Sequence, residues 1–243
     1  MPDLTERQLQ MLKAIIEEYI ETAEPVASET LDKKYNLGVS PATIRNEMVR
    51  LTTAGFLKQP HTSAGRTPTP IALKLYVGKL MKPKELSVAE EVKVRQGIWD
   101  FRSQMDKVLR EATKALAQQT KTMALAATDE GDIYSSGMGN ILDMPEFFDI
   151  DITRHLLATL DEYDYWWDIF SRSNESPDPL SILLGEDLGR RYLNQCGGVF
   201  VHFASPSHQG AIGAIGPSRL YYSRIIPVVR YMGNLISKIA RQW

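Results

Sequence analysis

Residues 39–65 read VSPATIRNEMVRLTTAGFLKQPHTSAG, and this stretch decides the predicted fold. Ser40 is a favourable helix N-cap, and Pro41 follows at the first helical position, where its missing N–H costs nothing. Apolar residues then recur at the spacing of a buried helix face: Ile44, Met48 and Leu51. The stretch therefore predicts a helix that ends before Gly55 and keeps one polar side open.

Two further helices are predicted before this stretch. Thr5 begins the first, because Gln8 stands three residues later as in a capping box. Ser28 is predicted to cap a short second helix over residues 29–35. The spacing of these helices favours a helix-turn-helix pair with the helix that follows Ser40.

The segment after the third helix predicts a wing. Residues 56–59 read as a strand, residues 61–66 as a tight loop of small residues, and Pro70 as the start of a fourth helix. Residues 1–82 are therefore predicted to form a winged helix-turn-helix domain.

The charge of the chain is unevenly distributed. The net charge is −2 overall. Residues 40–82 carry seven Lys and Arg against one acid, whereas residues 129–168 carry eleven acids against one Arg. A basic segment on a helix and wing favours an anionic partner such as DNA, although it also fits a solvated charged face.

The open side of the third helix carries side chains that suit DNA. Arg45 can pair with guanine and Asn46 with adenine, while Arg50 suits a phosphate. The predicted DNA-binding residues are Ser40, Ala42, Thr43, Arg45, Asn46, Arg50, Lys58, His61, Thr62, Ser63, Gly65 and Arg66. Two alternatives stay open: Arg45 pairs on the surface with Glu47 or Glu29, or the domain is a protein–protein adapter.

Residues 83–128 are predicted as a connecting segment that contains one long helix, over about residues 88–125. Between residues 88 and 125 there is no proline and only Gly97. Apolar residues repeat at steps of three and four and predict a dimerisation seam: Ile98, Phe101, Met105, Val108 and Ala112. The alternative is that the same face packs on the chain's own C-terminal domain.

Residues 129–243 mix helices and strands. Residues 152–170 read as a helix, and the last apolar repeat, residues 225–239, reads as another. Three strands are predicted, at residues 180–184, 198–203 and 211–215. Strands joined by short loops and followed by a helix predict an α+β domain with an antiparallel sheet.

No pattern in the sequence predicts catalysis, a cofactor or a metal. The four histidines and Cys196 lack metal-ligand spacing, and the glycine-rich segments lack the strand–loop–helix context of a phosphate loop. The aromatic run at residues 163–168, YDYWWD, is predicted as core, with an exposed patch for a protein partner as the alternative. We therefore expect a protein that is not an enzyme.

The composition predicts a cytoplasmic protein. No run of about 18 apolar residues suggests a membrane span. The first residues lack a signal-peptide pattern, and a single cysteine fits a reducing compartment.

Two separated groups of motifs carry a family resemblance. The first is VSPATIRNEM at residues 39–48 with QPHTSAGR at residues 59–66. The second is GNIL at residues 139–142 before PEF at residues 145–147, and then GAIGPSRLYY at residues 213–222. Together they resemble the bacterial heat-inducible transcription repressor HrcA family.

The resemblance implies a homodimeric repressor of chaperone genes. In this family a winged-helix domain binds an inverted-repeat operator (CIRCE) in double-stranded DNA, a GAF-like domain follows, and activity depends on the chaperonin GroEL. This chain is shorter than typical members, so the first part of the GAF-like domain and an inserted dimerisation segment are expected to be absent. The alternatives are the adapter described above and a ligand sensor that acts through a reduced GAF-like domain.

Overall fold

The computed structural model describes residues 4–35, 37–173, 178–205 and 208–241. It divides into two compact units, unit 1 (Met1–Lys82) and unit 2 (Pro83–Trp243). Residues 83–128, predicted as a separate connecting helix, belong to unit 2.

Unit 1 contains four α-helices and one short hairpin in the part that the structure describes. In chain order these are α1 (Glu6–Thr22), α2 (Ser28–Lys34), α3 (Pro41–Thr53), β1 (Leu57–Lys58), β2 (Thr67–Pro68) and α4 (Pro70–Leu75), which continues as a π-helical turn (Tyr76–Leu80). β1 and β2 pair antiparallel, with Leu57 opposite Pro68.

Local capping chemistry sets the helix starts in unit 1. Thr5 makes both bonds of the predicted capping box, and the Ser40 hydroxyl accepts the N–H of Thr43 at 3.3 Å. The prediction for Ser28 was wrong by one position. The N-cap of α2 is Ala27, and Ser28 is the first helical residue and is buried.

The core of unit 1 is formed by the apolar faces of its helices. The predicted face of α3 is confirmed, since Ile44 and Leu51 are fully buried and Met48 nearly so. The C-terminal end of α2 is attached to α1 because Lys34 Nζ donates to the buried carboxylate of Glu18 at 2.8 and 3.0 Å. α2 also packs against α3, so the two helices are held next to each other.

Unit 2 combines helices with one antiparallel sheet. Its elements are α5 (Val88–Trp99), α6 (Met105–Thr120), β3 (Met123–Thr128), β4 (Ile133–Ser136), α7 (Met138–Leu142), α8 (Ile150–Ala158), α9 (Tyr163–Ser173), β5 (Leu180–Leu184), β6 (Cys196–Ala204), β7 (Gln209–Pro217) and α10 (Tyr222–Ala240). The strand order is β4-β3-β7-β6-β5. The predicted α+β class is confirmed.

The sheet contains the three predicted strands and two that the sequence did not reveal. β5, β6 and β7 confirm the prediction, whereas β3 was taken as the end of the long helix and β4 was missed. β3 lies inside the sheet between β4 and β7, and all six of its residues are buried. An alanine-rich strand buried on both faces shows no alternation, so its sequence is also compatible with a helix.

The prediction of one helix over residues 88–125 was wrong. Residues 100–104 form a turn between α5 and α6, with Gln104 extended at φ −137°, and Lys121 ends α6 in the left-handed region. The break folds α5 back on α6. Three residues of the predicted dimerisation seam are fully buried within unit 2: Ile98, Val108 and Ala112. For these three, the alternative prediction applies, in which the helix face packs on the chain's own domain.

The predicted helix over residues 152–170 is also divided. A short 3₁₀ turn (Thr159–Asp161) separates α8 from α9. Trp166, in the aromatic run, is fully buried and its Nε1 donates to the Thr159 carbonyl at 2.9 Å. The prediction of core aromatics is confirmed for Trp166. Among the residues placed by the structure, no helix is long and apolar enough to cross a membrane.

Candidate nucleic-acid interface

The outer side of α3 presents most of the predicted DNA-binding residues to solvent. Ala42, Arg45, Asn46 and Arg50 are exposed, and Thr43 is half-buried beside the Ser40 cap. The helical repeat places them opposite the buried face. A helix anchored on one side and polar on the other can enter a groove without disturbing its own core.

Arg45 is paired with a carboxylate of the neighbouring helix. Its Nη2 donates to Glu29 Oε1 at 2.9 Å, and both side chains are largely exposed. Hydrogen bonds from its own backbone and from Ser28, together with the Arg45 charge, lower the pKa of the Glu29 carboxyl. Of the two surface partners considered for Arg45, the structure therefore selects Glu29, which is ionised at neutral pH.

Arg50 has a different kind of partner. Its Nη1 donates to Glu47 Oε1 at 2.7 Å, and Gln8 Nε2 donates to the second oxygen of the same carboxylate at 3.0 Å. Glu47 is buried while Arg50 is exposed. Because Arg50 compensates a buried charge, it has a structural role as well as an exposed cationic group.

The loop between β1 and β2 is organised by a residue that sequence reasoning missed. Gln59 Nε2 donates to the carbonyls of Thr62 at 2.9 Å and Ala64 at 3.0 Å. His61, Thr62 and Ser63 are exposed at the tip, and Lys58 is exposed on β1. The amide of Gln59 thus keeps the tip in one shape without a large side chain there.

Gly65 and Arg66 are held in the base of the loop. Arg66 pairs its backbone with Val26 through two bonds of 2.9 Å, and its Nε donates to the Thr52 hydroxyl at 3.1 Å. A Cβ at Gly65 would lie 2.3 Å from the Val26 carbonyl oxygen. Both residues were predicted as DNA contacts because small residues permit close approach. The close approach seen at Gly65 is to the backbone of Val26, and DNA contact by Gly65 and Arg66 stays a prediction.

A groove of about 440 Å³ separates α3 from the loop. The residues lining it include Glu29, Arg45, Val49, Thr62 and Ser63. One wall is therefore helix and the other is the loop tip. A polyanion that follows this groove meets Arg45 on the helix side and hydroxyl groups on the loop side.

Metal-ligating and nucleophilic side chains outside this surface are the candidates for a second site. No group of three or more metal-ligating side chains occurs in the parts of the chain that the structure describes. Burial raises the pKa of the Cys196 thiol to about 12, and burial lowers the pKa of His202. The Cys196 thiol therefore stays protonated, and His202 stays neutral, near neutral pH.

Comparisons with known proteins identify the family of the chain. The family model described as the HrcA protein C-terminal domain matches residues 77–226, more than half of the chain. The chain therefore belongs to the HrcA family.

Curated relatives carry the name heat-inducible transcription repressor HrcA. The protein of Desulforamulus reducens is 28% identical over 338 aligned positions, which include 97% of this chain and 96% of that protein. The protein of Clostridium perfringens is 49% identical over 119 residues, 49% of this chain and 35% of that protein. This chain has 243 residues, so the longer alignment contains positions that it lacks.

One solved structure shares the fold. A crystal structure described as that of a hypothetical protein at 2.2 Å resolution has a TM-score of 0.78, with 19% identity over 99% of each chain. At this identity the likeness concerns the fold alone.

Proposed function

We propose that this protein is a cytoplasmic transcriptional repressor that binds an inverted-repeat operator of the CIRCE type, upstream of chaperone genes, as a homodimer. Unit 1 acts as a winged helix-turn-helix in which α2 and α3 form the motif and residues 57–68 form the wing. The names of the relatives, which are heat-inducible transcription repressors, support this assignment. Membership of the HrcA family, shown by the match over residues 77–226, agrees with it.

The observation that carries the proposal is the surface formed by α3 and the wing. Arg45 and Asn46 project from the exposed face of α3, and a groove separates them from the wing tip. These two side chains are the ones that form bidentate pairs with guanine and adenine in a major groove. Lys58 and the hydroxyls of Thr62 and Ser63 suit the adjacent phosphates.

Dimerisation follows from the symmetry of the operator. Two copies related by a two-fold axis read two inverted half-sites, and the separation of the half-sites is set by the dimer. We assign dimerisation and regulation to unit 2, as a reduced GAF-like domain. Phe101 and Met105 are half-buried, so they alone of the predicted seam retain surface for a second copy. GroEL dependence remains a prediction from the family, tested by adding the chaperonin to an operator-binding assay.

Replacing Arg45 by alanine is expected to weaken operator binding by roughly 1–3 kcal/mol and to relax the preference at one base pair per half-site. The physical reason is the loss of a bidentate contact to a base edge. Fluorescence anisotropy on the operator and on duplexes changed at single positions measures both effects.

Lys58→Ala is the matched control for Arg45→Ala. It removes one positive charge from β1, so it should weaken binding to all duplexes alike and reduce the slope of log affinity against log salt by about one. If Arg45→Ala behaved as Lys58→Ala does, with equal losses on operator and scrambled DNA, Arg45 would be a phosphate contact and not a base reader.

A further inference from the structure

A carboxylate lies on the surface that is proposed to face DNA. Among the described residues that line the groove, Glu29 is the one acid, and its side chain is 58% exposed. A negative charge beside phosphates opposes binding. Its presence at this position therefore needs a reason other than affinity.

The packing of α2 in the core does not depend on this carboxylate. α2 is held by the fully buried Leu31 and by the bond from Lys34 to Glu18, on the side of the helix away from the groove. The pair of Glu29 with Arg45 is exposed on both sides, and ion pairs of that kind contribute little to stability. Loss of Glu29 should leave unit 1 folded.

The geometry of the pair leaves Arg45 able to read a base. One contact joins Arg45 Nη2 to Glu29 Oε1 at 2.9 Å. A guanidinium has five N–H donors, so two can face the acceptors of guanine while another still donates to the carboxylate. In the structure, this contact gives the guanidinium one direction in the absence of DNA.

We propose that Glu29 is a positioning residue that determines specificity: it orients Arg45 for a guanine edge and keeps the same guanidinium from binding phosphates on other DNA. This inference rests on the proposed function. Binding to DNA without sequence preference comes from contacts between cations and phosphates. An arginine that is paired with a carboxylate contributes less to phosphate contacts. Its contribution to operator affinity is kept, because guanine accepts its remaining N–H donors.

The test uses the full chain with Glu29→Gln, titrated by fluorescence anisotropy on an inverted-repeat operator and on a scrambled duplex of equal length. Affinity for the scrambled duplex should rise and affinity for the operator should stay or fall. The ratio of the two affinities should drop at least about fivefold, the lower end of discrimination at one base pair. The melting temperature should fall only slightly, because the pair is exposed and glutamine keeps an oxygen that accepts hydrogen bonds at the start of α2.

Asp32→Asn is the matched control. It removes the same charge from the same helix, is also exposed, and does not line the groove. It should shift both affinities by one common factor and leave their ratio unchanged. In the Arg45→Ala background, Glu29→Gln should produce no further drop in the ratio, because the carboxylate acts through Arg45.

The possible results separate two failures. Suppose that the wild-type chain prefers the operator to the scrambled duplex. The role of Glu29 is then refuted if Glu29→Gln leaves the ratio of the two affinities unchanged, or if it lowers that ratio as much in the Arg45→Ala background as in the wild type. In both cases the proposed function stands. If the wild-type chain binds both duplexes equally, the proposed function and this inference are both refuted.

Discussion

Arg219→Met is expected to lower the free energy of unfolding of unit 2 by about 3–5 kcal/mol, the cost of leaving one partner of a buried ion pair alone. Arg219 Nε donates to Glu146 Oε1 at 2.6 Å and Nη2 donates to Oε2 at 3.0 Å. The two side chains are only 10% and 12% exposed. Methionine preserves much of the apolar stem of arginine, but it leaves the buried Glu146 carboxylate without its cationic partner.

The position of the ion pair explains why its loss should destabilise more than the two residues themselves. Glu146 lies in the 3₁₀ turn Pro145–Phe147, and Arg219 follows the end of β7. Phe147, beside Glu146, belongs to a hydrophobic cluster of unit 2 that also includes buried residues of β3, β6 and β7. Release of the ion pair therefore loosens a segment that covers the sheet.

Urea unfolding followed by tryptophan fluorescence measures this loss, since all four tryptophans lie in unit 2. The double variant Glu146→Leu with Arg219→Met is the control. Exchanging a whole buried ion pair for apolar side chains is often close to neutral, so most of the stability should return. A single variant as stable as the wild type would show that the pair is hydrated and carries no burial cost.

Trp166→Ala is the second large effect, with an expected loss of about 3–5 kcal/mol. Trp166 is fully buried, with its ring 6.1 Å from the ring of Phe200 on β6 and 6.0 Å from that of Phe170. Alanine leaves a cavity between α9 and the sheet. It also removes one of the two donors to the Thr159 carbonyl, which keeps the N–H of Glu162 at 3.0 Å. Chemical unfolding followed by circular dichroism measures the change without relying on the altered tryptophan.

Trp167→Ala provides the comparison for Trp166. Trp167 is its neighbour in sequence, but it is half-buried and stacks on Tyr163 with ring centroids 5.9 Å apart. The same substitution should therefore cost clearly less at position 167. Equal losses at both positions would contradict the packing of α9 described above.

Features set by local chemistry could be predicted from the sequence. The caps at Thr5 and Ser40 act within three residues, so their patterns indicated these helix starts correctly, and the cap predicted at Ser28 was one position late. The strands β6 and β7 are rich in β-branched or small residues, and β5 is a short run of mostly apolar residues.

Features set by distant contacts could not be predicted. β3 reads as a helix end because its alanines fit either state, and its pairing with β7 settles the outcome. The turn at residues 100–104 contains neither glycine nor proline, and tertiary packing of α5 on α6 outweighs local preference there.

The candidate site shows the same division. Spacing alone placed Arg45 and Asn46 on the open face of α3. The partner of Arg45 lies 16 residues earlier in the chain, and the packing of Gly65 against Val26 joins residues 39 apart. Such contacts form only in the folded unit. The sequence therefore left two possible partners for Arg45 and did not reveal the packing of Gly65 against Val26.

The central claim is tested most directly by two titrations of the full chain at the same salt concentration. One uses an inverted-repeat chaperone operator, and the other uses a scrambled duplex of the same length. Specific binding should exceed binding to the scrambled duplex by at least about a thousandfold, with two chains on each operator. Equal affinities for the two duplexes, or an affinity that does not change between 50 and 200 mM salt, would contradict the assignment of this surface as a reader of DNA.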